Sequence, residues 1–186
     1  MKTEKILSII FIISLIFKFF GWPGGSAILI ISLMSLTFCY FPFGFYFLNE
    51  KNVFKQKLGT SILFGWLLPV AIIGVQFKFM YWPAYHPMLV IGILTAAIFL
   101  VIAYGMYKKA NTEETKYYHK NLLTRTLVIF IVSLITLLIP EKSIINMSFQ
   151  NEPELKELYL KKVDDPNNME LQKEIEEYHK HRFQKQ

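Results

Sequence analysis

The sequence contains one short motif twice. Residues 17–23 read Phe-Lys-Phe-Phe-Gly-Trp-Pro, and residues 77–83 read Phe-Lys-Phe-Met-Tyr-Trp-Pro. Five of the seven positions are identical, at a spacing of 60 residues. Each copy lies between two long apolar stretches, and its proline ends the preceding helix because proline cannot continue one. The motif therefore predicts the turn of a helical hairpin that is present twice in the chain.

Five apolar stretches surround or follow these turns, and each approaches the roughly 20 residues that a membrane-spanning helix needs. They form a predicted membrane domain over residues 1–140, followed by a polar helical tail over residues 141–186. We expect an all-α, polytopic membrane protein with a duplicated transmembrane hairpin, a fifth helix and a short helical C-terminal tail. The predicted spans cover about residues 6–20, 27–48, 58–80, 87–107 and 122–139.

The composition also indicates a membrane protein. Of 186 residues, 53% are hydrophobic and only 18% are charged, which is more apolar than an ordinary soluble domain. The net charge of +6 divides into +8 for residues 1–140 and −2 for residues 141–186. Most positive charges of the first part flank apolar stretches, as the charges that orient a membrane protein do. The lipid bilayer is therefore an expected partner, and nucleic acid is not.

Lysines occur in alternate connections between the predicted helices. They precede the first helix and fill the second and fourth connections, whereas the first and third connections contain no Lys or Arg. Because positively charged loops stay in the cytoplasm, we expect a cytoplasmic N-terminus and both Trp-Pro turns on the outer side. If the fifth helix crosses fully, the tail is periplasmic. The expected location is the bacterial inner membrane, with several passes.

A second match extends the repeat. Residues 44–46 read Gly-Phe-Tyr and residues 105–107 read Gly-Met-Tyr, at a spacing of 61 residues. The second hairpin therefore carries one extra residue. An even number of crossings separates the two copies, so we expect them to be parallel and related by an axis near the membrane normal.

The lysine and the tryptophan of each motif are four residues apart, and on a continuing helix they would share one face. In one interpretation the lysine snorkels to the headgroups and the tryptophan lies in the aromatic belt, so that the motif only anchors a turn. In the other, the recurrence of the same residues indicates a particular packed geometry, and a lysine facing the interior would mark a functional site. The residues of this expected packing interface are Phe17, Lys18, Trp22, Pro23, Phe77, Lys78, Trp82 and Pro83.

The Phe-Lys-x-x-x-Trp-Pro turn between two apolar helices resembles the transmembrane hairpin of the GldL-type inner-membrane subunit. That family belongs to the gliding-motility and type IX secretion motor of Gram-negative gliding bacteria. The resemblance covers one hairpin at a time, and it implies a turn on the periplasmic side. The family's motor function implies acidic residues within the spans, and no Asp or Glu lies inside the five stretches here. The duplication, the fifth helix and the tail also depart from the family pattern, so the resemblance predicts a shared hairpin architecture rather than a proton-driven motor.

The tail is predicted to contain two short helices. The first begins at Pro153, with Leu155, Leu158 and Tyr159 on one stripe, and the sequence Asp-Asp-Pro-Asn-Asn at residues 164–168 ends it. The second runs from about residue 169 to residue 183, with Asn168 as its cap. Two helices with one thin apolar stripe each cannot build a core alone. We therefore expect the tail to dock on another surface.

The sequence shows none of the motifs that carry catalytic or cofactor chemistry, such as a phosphate loop or a nucleophile elbow. We expect no enzyme activity, no cofactor and no metal. His179 and His181 are two residues apart and point to different faces of a helix, which argues against a shared metal. His86 in the third connection is expected to be a polar turn residue. The single cysteine, Cys39, excludes an intrachain disulfide.

Two classes of function remain. The first is a non-enzymatic structural or accessory subunit of an envelope complex, which forms a homo-oligomer or binds a membrane or periplasmic protein. The alternative is a small transporter or channel built from a parallel repeat. The positions of Lys18 and Lys78 distinguish them, because ion paths usually carry ionisable groups inside the membrane. Convergence of both lysines on a wet cavity would favour transport, and lysines pointing to the headgroups would favour a scaffold.

Overall fold

The computed structural model describes residues 2–41 and 58–184. Within these ranges the protein is all-helical, with eight helices and no strand. The helices are α1 (Lys2–Phe19), α2 (Gly25–Tyr40), α3 (Leu58–Met80), α4 (Tyr85–Lys108), α5 (Glu113–Leu138), α6 (Glu141–Ser148), α7 (Pro153–Asp164) and α8 (Met169–Gln184).

Three of these helices, α3, α4 and α5, are long and apolar enough to cross a membrane. Helix α1 has 18 residues, but it carries charged residues at both ends. Helix α2 has 16 residues and ends at Tyr40, with Phe41 in an extended conformation, so it does not continue unbroken to residue 48 as predicted. Residues 42–48 lie outside the described part of the chain. The same is true of the Gly-Phe-Tyr match at residues 44–46 and of the lysines of the second connection.

Several helix boundaries differ from the sequence-based expectation. Helix α5 begins at Glu113 rather than at residue 122, because Thr112 and Thr115 form a reciprocal capping box before its polar first turns. Helix α1 begins at Lys2 rather than at residue 6, which places Glu4 inside the helix. Helix α6, directly after Pro140, was not predicted. Apolarity alone therefore underestimates helices that start with charged residues.

The helices pack as consecutive hairpins around one core. Helix α1 packs on α2, α3 on α4, and α5 on α4, while α2 and α5 both contact α3. Helix α3 is therefore the centre of the bundle, and about half of its residues are buried. The largest fully buried core side chains include Leu29, Phe64, Leu68, Leu89 and Leu122.

Helices α3 and α4 approach each other closely where glycines face the partner helix. A Cβ atom on Gly92 would lie 2.5 Å from the Cα atom of Ala71, and one on Gly74 would lie 2.7 Å from the Cα atom of Leu89. Small residues permit such backbone contact between membrane helices. Elsewhere in α4, Ala96 and Ala103 are fully buried, whereas a Cβ on Gly105 would meet nothing within 4 Å.

We expect Gly92→Ala to destabilise the protein by about 2 kcal/mol, because the new methyl group forces two helix backbones apart. Gly105→Ala is the matched control in the same helix. It adds the same methyl group in open space and should be neutral or slightly stabilising, since alanine favours helix more than glycine does. Thermal unfolding in detergent micelles measures both variants. Equal melting temperatures for the two would contradict the close α3–α4 contact.

Candidate functional site

The two Trp-Pro turns have the same local structure. In the first turn (residues 17–25) the backbone N–H of Trp22 donates to the carbonyl of Phe17 at 2.9 Å, and in the second (residues 77–85) Trp82 donates to Phe77 at 3.0 Å. In each pair the rings also meet edge to face, with centroids 4.9 Å and 5.1 Å apart. The motif residues thus adopt equivalent arrangements in both copies.

The backbone angles agree as well. Gly21 and Tyr81 have φ values of 67° and 53°, and Gly24 and Ala84 have values of 86° and 60°. All four lie in the left-handed region, which costs little for glycine but is unfavourable for other residues. The second turn keeps this geometry without a glycine at either position, so the surrounding contacts, rather than local preference, hold it there.

The structure contradicts the interpretation of the lysines as headgroup anchors. Helix α1 ends at Phe19, so Lys18 and Trp22 do not share a helix face. Lys18 is 4% exposed, whereas Trp22 is 52% exposed. Lys78 is 5% exposed, and Trp82 is half-buried. Both lysines face the protein interior, and the two turns use them differently.

Lys78 caps the end of α5. Its ammonium group donates to the backbone carbonyls of Leu137 at 2.9 Å and Ile139 at 2.8 Å. The last carbonyls of a helix have no partner within the helix and carry partial negative charge. A buried ammonium group satisfies two of them here. Lys78 therefore joins the second hairpin to the end of α5.

Lys18 makes weaker contacts at the equivalent place. Its ammonium group lies 3.4 Å from the Ser26 hydroxyl and 3.7 Å from the Met80 sulfur. The second contact crosses from the first turn to the last residue of α3. Lys18 thus lies between the two hairpins, and both of these contacts are with neutral side chains.

The tail folds back onto both turns. Gln150 donates its side-chain amide to the carbonyl of Phe19 at 2.9 Å, and the Ser148 hydroxyl donates to the carbonyl of Phe79 at 3.2 Å. The Tyr81 hydroxyl donates to the Glu141 carboxylate at 2.6 Å. Both turns, the end of α5 and the tail therefore lie at the same end of the bundle. The tail therefore docks on the two Trp-Pro turns, and its thin apolar stripes had predicted that it needs such a surface.

Aromatic side chains of the second turn and the tail pack together where the two meet. The ring of Tyr81 lies 5.1 Å from that of Tyr159 and 5.6 Å from that of Tyr85, and Phe149 stacks on Tyr159 at 4.7 Å. Burial, and then the hydrogen bond to Glu141, raise the pKa of Tyr81 well above its usual range. The phenol of Tyr81 therefore stays neutral, and it remains a donor to the carboxylate at physiological pH.

The tail helices follow the sequence pattern closely. Helix α7 begins at Pro153, and α8 begins at Met169. The side chain of Asn168 accepts hydrogen bonds from the backbone N–H groups of Glu170 at 3.1 Å and Leu171 at 3.3 Å. Asn168 is thus the predicted cap. Three buried apolar residues lie within the tail, namely Ile145, Leu155 and Ile175, whereas the buried Ile144 belongs to the core of the bundle.

The histidines lie in four separate settings. His86 and His181 are exposed, His119 is buried in α5, and His179 lies 3.2 Å from the Tyr159 hydroxyl between α7 and α8. Across residues 2–41 and 58–184, no three His, Cys, Asp or Glu side chains come together as metal ligands.

A buried ion pair at the opposite end of the bundle was missed by the sequence analysis. Nε of Arg125 donates to the two carboxylate oxygens of Glu4 at 2.9 Å and 3.2 Å, and the Tyr40 hydroxyl also donates to Glu4. The Arg125 and Glu4 side chains are only 7% and 15% exposed. The signal was present, because Arg125 lies inside the fifth apolar stretch and a buried charge requires a partner.

This ion pair closes one end of a cavity of about 600 Å³. The cavity lies between α1 and α5, and residues of α2 and α3 form its floor. Lys18 and Lys78 are not among its lining residues. The ionisable side chains that line it are Glu4, Lys5, Tyr40 and Arg125.

Comparisons with protein-family models, with curated proteins and with solved structures gave no match to this chain. The class of the protein rests on its fold alone: over residues 2–41 and 58–184 it is all-helical, with three helices long and apolar enough to cross a membrane.

Proposed function

We propose that this chain is an integral inner-membrane protein with five crossings and acts as a non-enzymatic subunit of an envelope complex. The observation that carries the proposal is the docking of the polar tail on both Trp-Pro turns. This contact makes the turns and the tail one structured surface beyond the ends of the apolar helices. A surface of this kind suits binding to another protein outside the membrane.

Three features support five crossings. Helices α3, α4 and α5 have the required length and apolarity. Helices α1 and α2 form a hairpin beside them and expose large apolar side chains outward, including Ile9, Ile16 and Phe38, which suits contact with lipid. The alternating lysine-rich connections favour a cytoplasmic N-terminus and a periplasmic tail.

The equivalent geometry of the two turns supports a duplicated hairpin. The shared hydrogen bonds, ring contacts and left-handed residues extend the match beyond the five identical side chains. In this proposal the second copy gained the contacts of Lys78 and Tyr81 with α5 and α6, and the first copy kept glycines at residues 21 and 24. The resemblance to GldL-type hairpins belongs to the same proposal, as a shared architecture.

The contacts of the two lysines favour the subunit over the alternative, a small transporter or channel. Lys78 serves as a helix cap, and Lys18 packs between hairpins. Both therefore act in holding the bundle together. Convergence on the cavity would have favoured transport, but the cavity is lined by other residues.

Cysteine labelling tests the proposed topology. Met169 is 77% exposed at the start of α8, and Asn111 is exposed between α4 and α5. After Cys39→Ser removes the native thiol, we expect a membrane-impermeant maleimide to label Met169→Cys in spheroplasts. Asn111→Cys should react only after the cells are lysed. Labelling of both positions, or of neither, before lysis would contradict five crossings.

The Met169→Cys variant also tests the subunit role. A short cysteine-to-amine cross-linker added to spheroplasts should give a discrete adduct, with either a second copy or one other envelope protein. Asn111→Cys, cross-linked in the same way after lysis, is the control for random collision. A diffuse smear at both positions would contradict a specific subunit.

A further inference from the structure

The cavity between α1 and α5 has the dimensions of a ligand site. Its volume of about 600 Å³ falls within the range of roughly 300–1,000 Å³ that is typical of small-molecule pockets. The two helices run in the same direction along it, from Glu4 to Ile12 in α1 and from Arg125 to Ser133 in α5. Each advances about 12 Å over these residues. The cavity is therefore an elongated groove rather than a rounded void.

The two ends of this groove differ in chemistry. Charged and hydroxyl-bearing side chains surround the end near the start of α1: Glu4, Lys5, Ser8, Tyr40, Thr124 and Arg125. Beyond them the walls are apolar, with Ile12, Leu33, Val75 and Val132 among the lining residues. Ser133 is the polar exception at the deep end, and its buried hydroxyl has no hydrogen-bond partner among the described residues. A groove of this kind matches an amphiphile with one polar end.

The charges at the polar end favour an anionic headgroup. Glu4 is already held by Arg125 and Tyr40, so its carboxylate is partly neutralised. Lys5 lines the groove and is exposed. The exposed Lys2 precedes it at the start of α1, and the exposed Lys120 lies one turn before Thr124 in α5. The local balance is therefore positive. Basic pockets between helices on the cytoplasmic side are typical binding sites for anionic lipid headgroups.

We propose that this groove binds an anionic phospholipid, with one acyl chain along the apolar walls of α1 and α5 and the phosphate beside Lys5 and Arg125. The inference rests on the proposed membrane insertion, because it places the polar end at the cytoplasmic headgroup level. The bound chain would fill the space between α1 and α5, which meet through Glu4 and Arg125 at one end of the groove. The lipid would thus form part of the packed bundle.

Native mass spectrometry of the detergent-purified protein tests this proposal. The protein is incubated with equal amounts of dioleoyl phosphatidylglycerol and dioleoyl phosphatidylcholine. We expect one retained phosphatidylglycerol per chain, in preference to phosphatidylcholine. Lys5→Gln should reduce that preference about fivefold, since a lysine near a headgroup contributes about that factor. Lys5 is exposed, so this variant should fold normally.

Two further variants distinguish lipid binding in the groove from general attraction of anionic lipid to basic residues. Val128 lines the groove and is 54% exposed, so Val128→Trp should fill the apolar part and abolish retention of the lipid. Lys109→Gln removes an exposed lysine away from the groove and should leave retention unchanged. Equal loss with Lys5→Gln and Lys109→Gln would overturn the proposal.

The remaining outcomes are also decisive. Retention of both lipids without preference would overturn the role of Lys5 and Arg125. Loss of a dimer, rather than of a lipid, in Val128→Trp would assign the groove to self-association and overturn the lipid site. If cysteine labelling shows five crossings while no lipid is retained, the lipid proposal fails and the proposed topology stands.

Discussion

Arg125→Met is expected to destabilise the protein by about 3 kcal/mol, because it leaves the carboxylate of Glu4 buried without its cationic partner. The pair is close, with 2.9 Å between Nε and the nearer oxygen, and both side chains are largely excluded from solvent. Glu4→Gln should have a similar effect, since it leaves the guanidinium of Arg125 without the anion. Unfolding free energies in detergent micelles, obtained by titration with a denaturing detergent, measure both variants.

The double variant Glu4→Gln with Arg125→Met should be less destabilised than the sum of the two single variants, because no charge is left buried alone. Lys142→Met is the surface control. It breaks the ion pair with Asp164, which has a short distance of 2.6 Å but exposed fractions of 53% and 67%. Exposed pairs contribute about 0–1 kcal/mol. If Arg125→Met and Lys142→Met had equal effects, the ion pair of Glu4 and Arg125 would not be an internal contact of the bundle.

Lys78→Met is expected to cost about 3 kcal/mol, since the carbonyls of Leu137 and Ile139 lose a charged donor and each unsatisfied buried carbonyl costs roughly 1–3 kcal/mol. Methionine keeps most of the length and apolar volume of the lysine stem. The loss is therefore assigned to the hydrogen bonds of the ammonium group rather than to a cavity. Thermal unfolding should show a decrease in melting temperature of roughly 5 °C or more.

Lys18→Met is the matched control for Lys78→Met, because the sequence places the two lysines at equivalent positions. Within residues 2–41 and 58–184, the ammonium group of Lys18 contacts two neutral side chains, at 3.4 Å and 3.7 Å. Its replacement by an apolar side chain of similar shape should change stability by less than about 1 kcal/mol. Equal losses for both lysines would contradict the capping role of Lys78 and would favour a shared function of the two turns.

Much of the fold is readable from local sequence patterns. Helix α3 occupies the predicted residues 58–80. Helix α4 begins two residues before the predicted span of 87–107 and ends one residue after it. Both agree closely because long apolar runs bounded by turns define such helices. The tail helices begin at the predicted proline and after the predicted asparagine cap. Caps and prolines act within a few residues, so the sequence displays them directly.

The candidate sites were less predictable. The ion pair of Glu4 and Arg125 joins residues 121 positions apart, and no local pattern pairs them. The predicted first span begins at about residue 6, where the apolar run starts, whereas α1 begins at Lys2 and includes Glu4. The contact of the tail with the turns also joins distant residues, and only the need of the tail for a docking surface was foreseen.

The helical content, the repeated turn motif and the segments that are apolar enough for lipid follow from the order of residues alone. Local propensity, hydrophobic length and turn chemistry are properties of neighbouring residues, so the order of residues is sufficient for them. Three features depend on the packing of the helices: Lys78 caps α5, Lys18 does not act in the same way, and Glu4 contacts Arg125 beside a groove. Such contacts depend on which helix faces come together in space, and identical motifs can therefore have different partners.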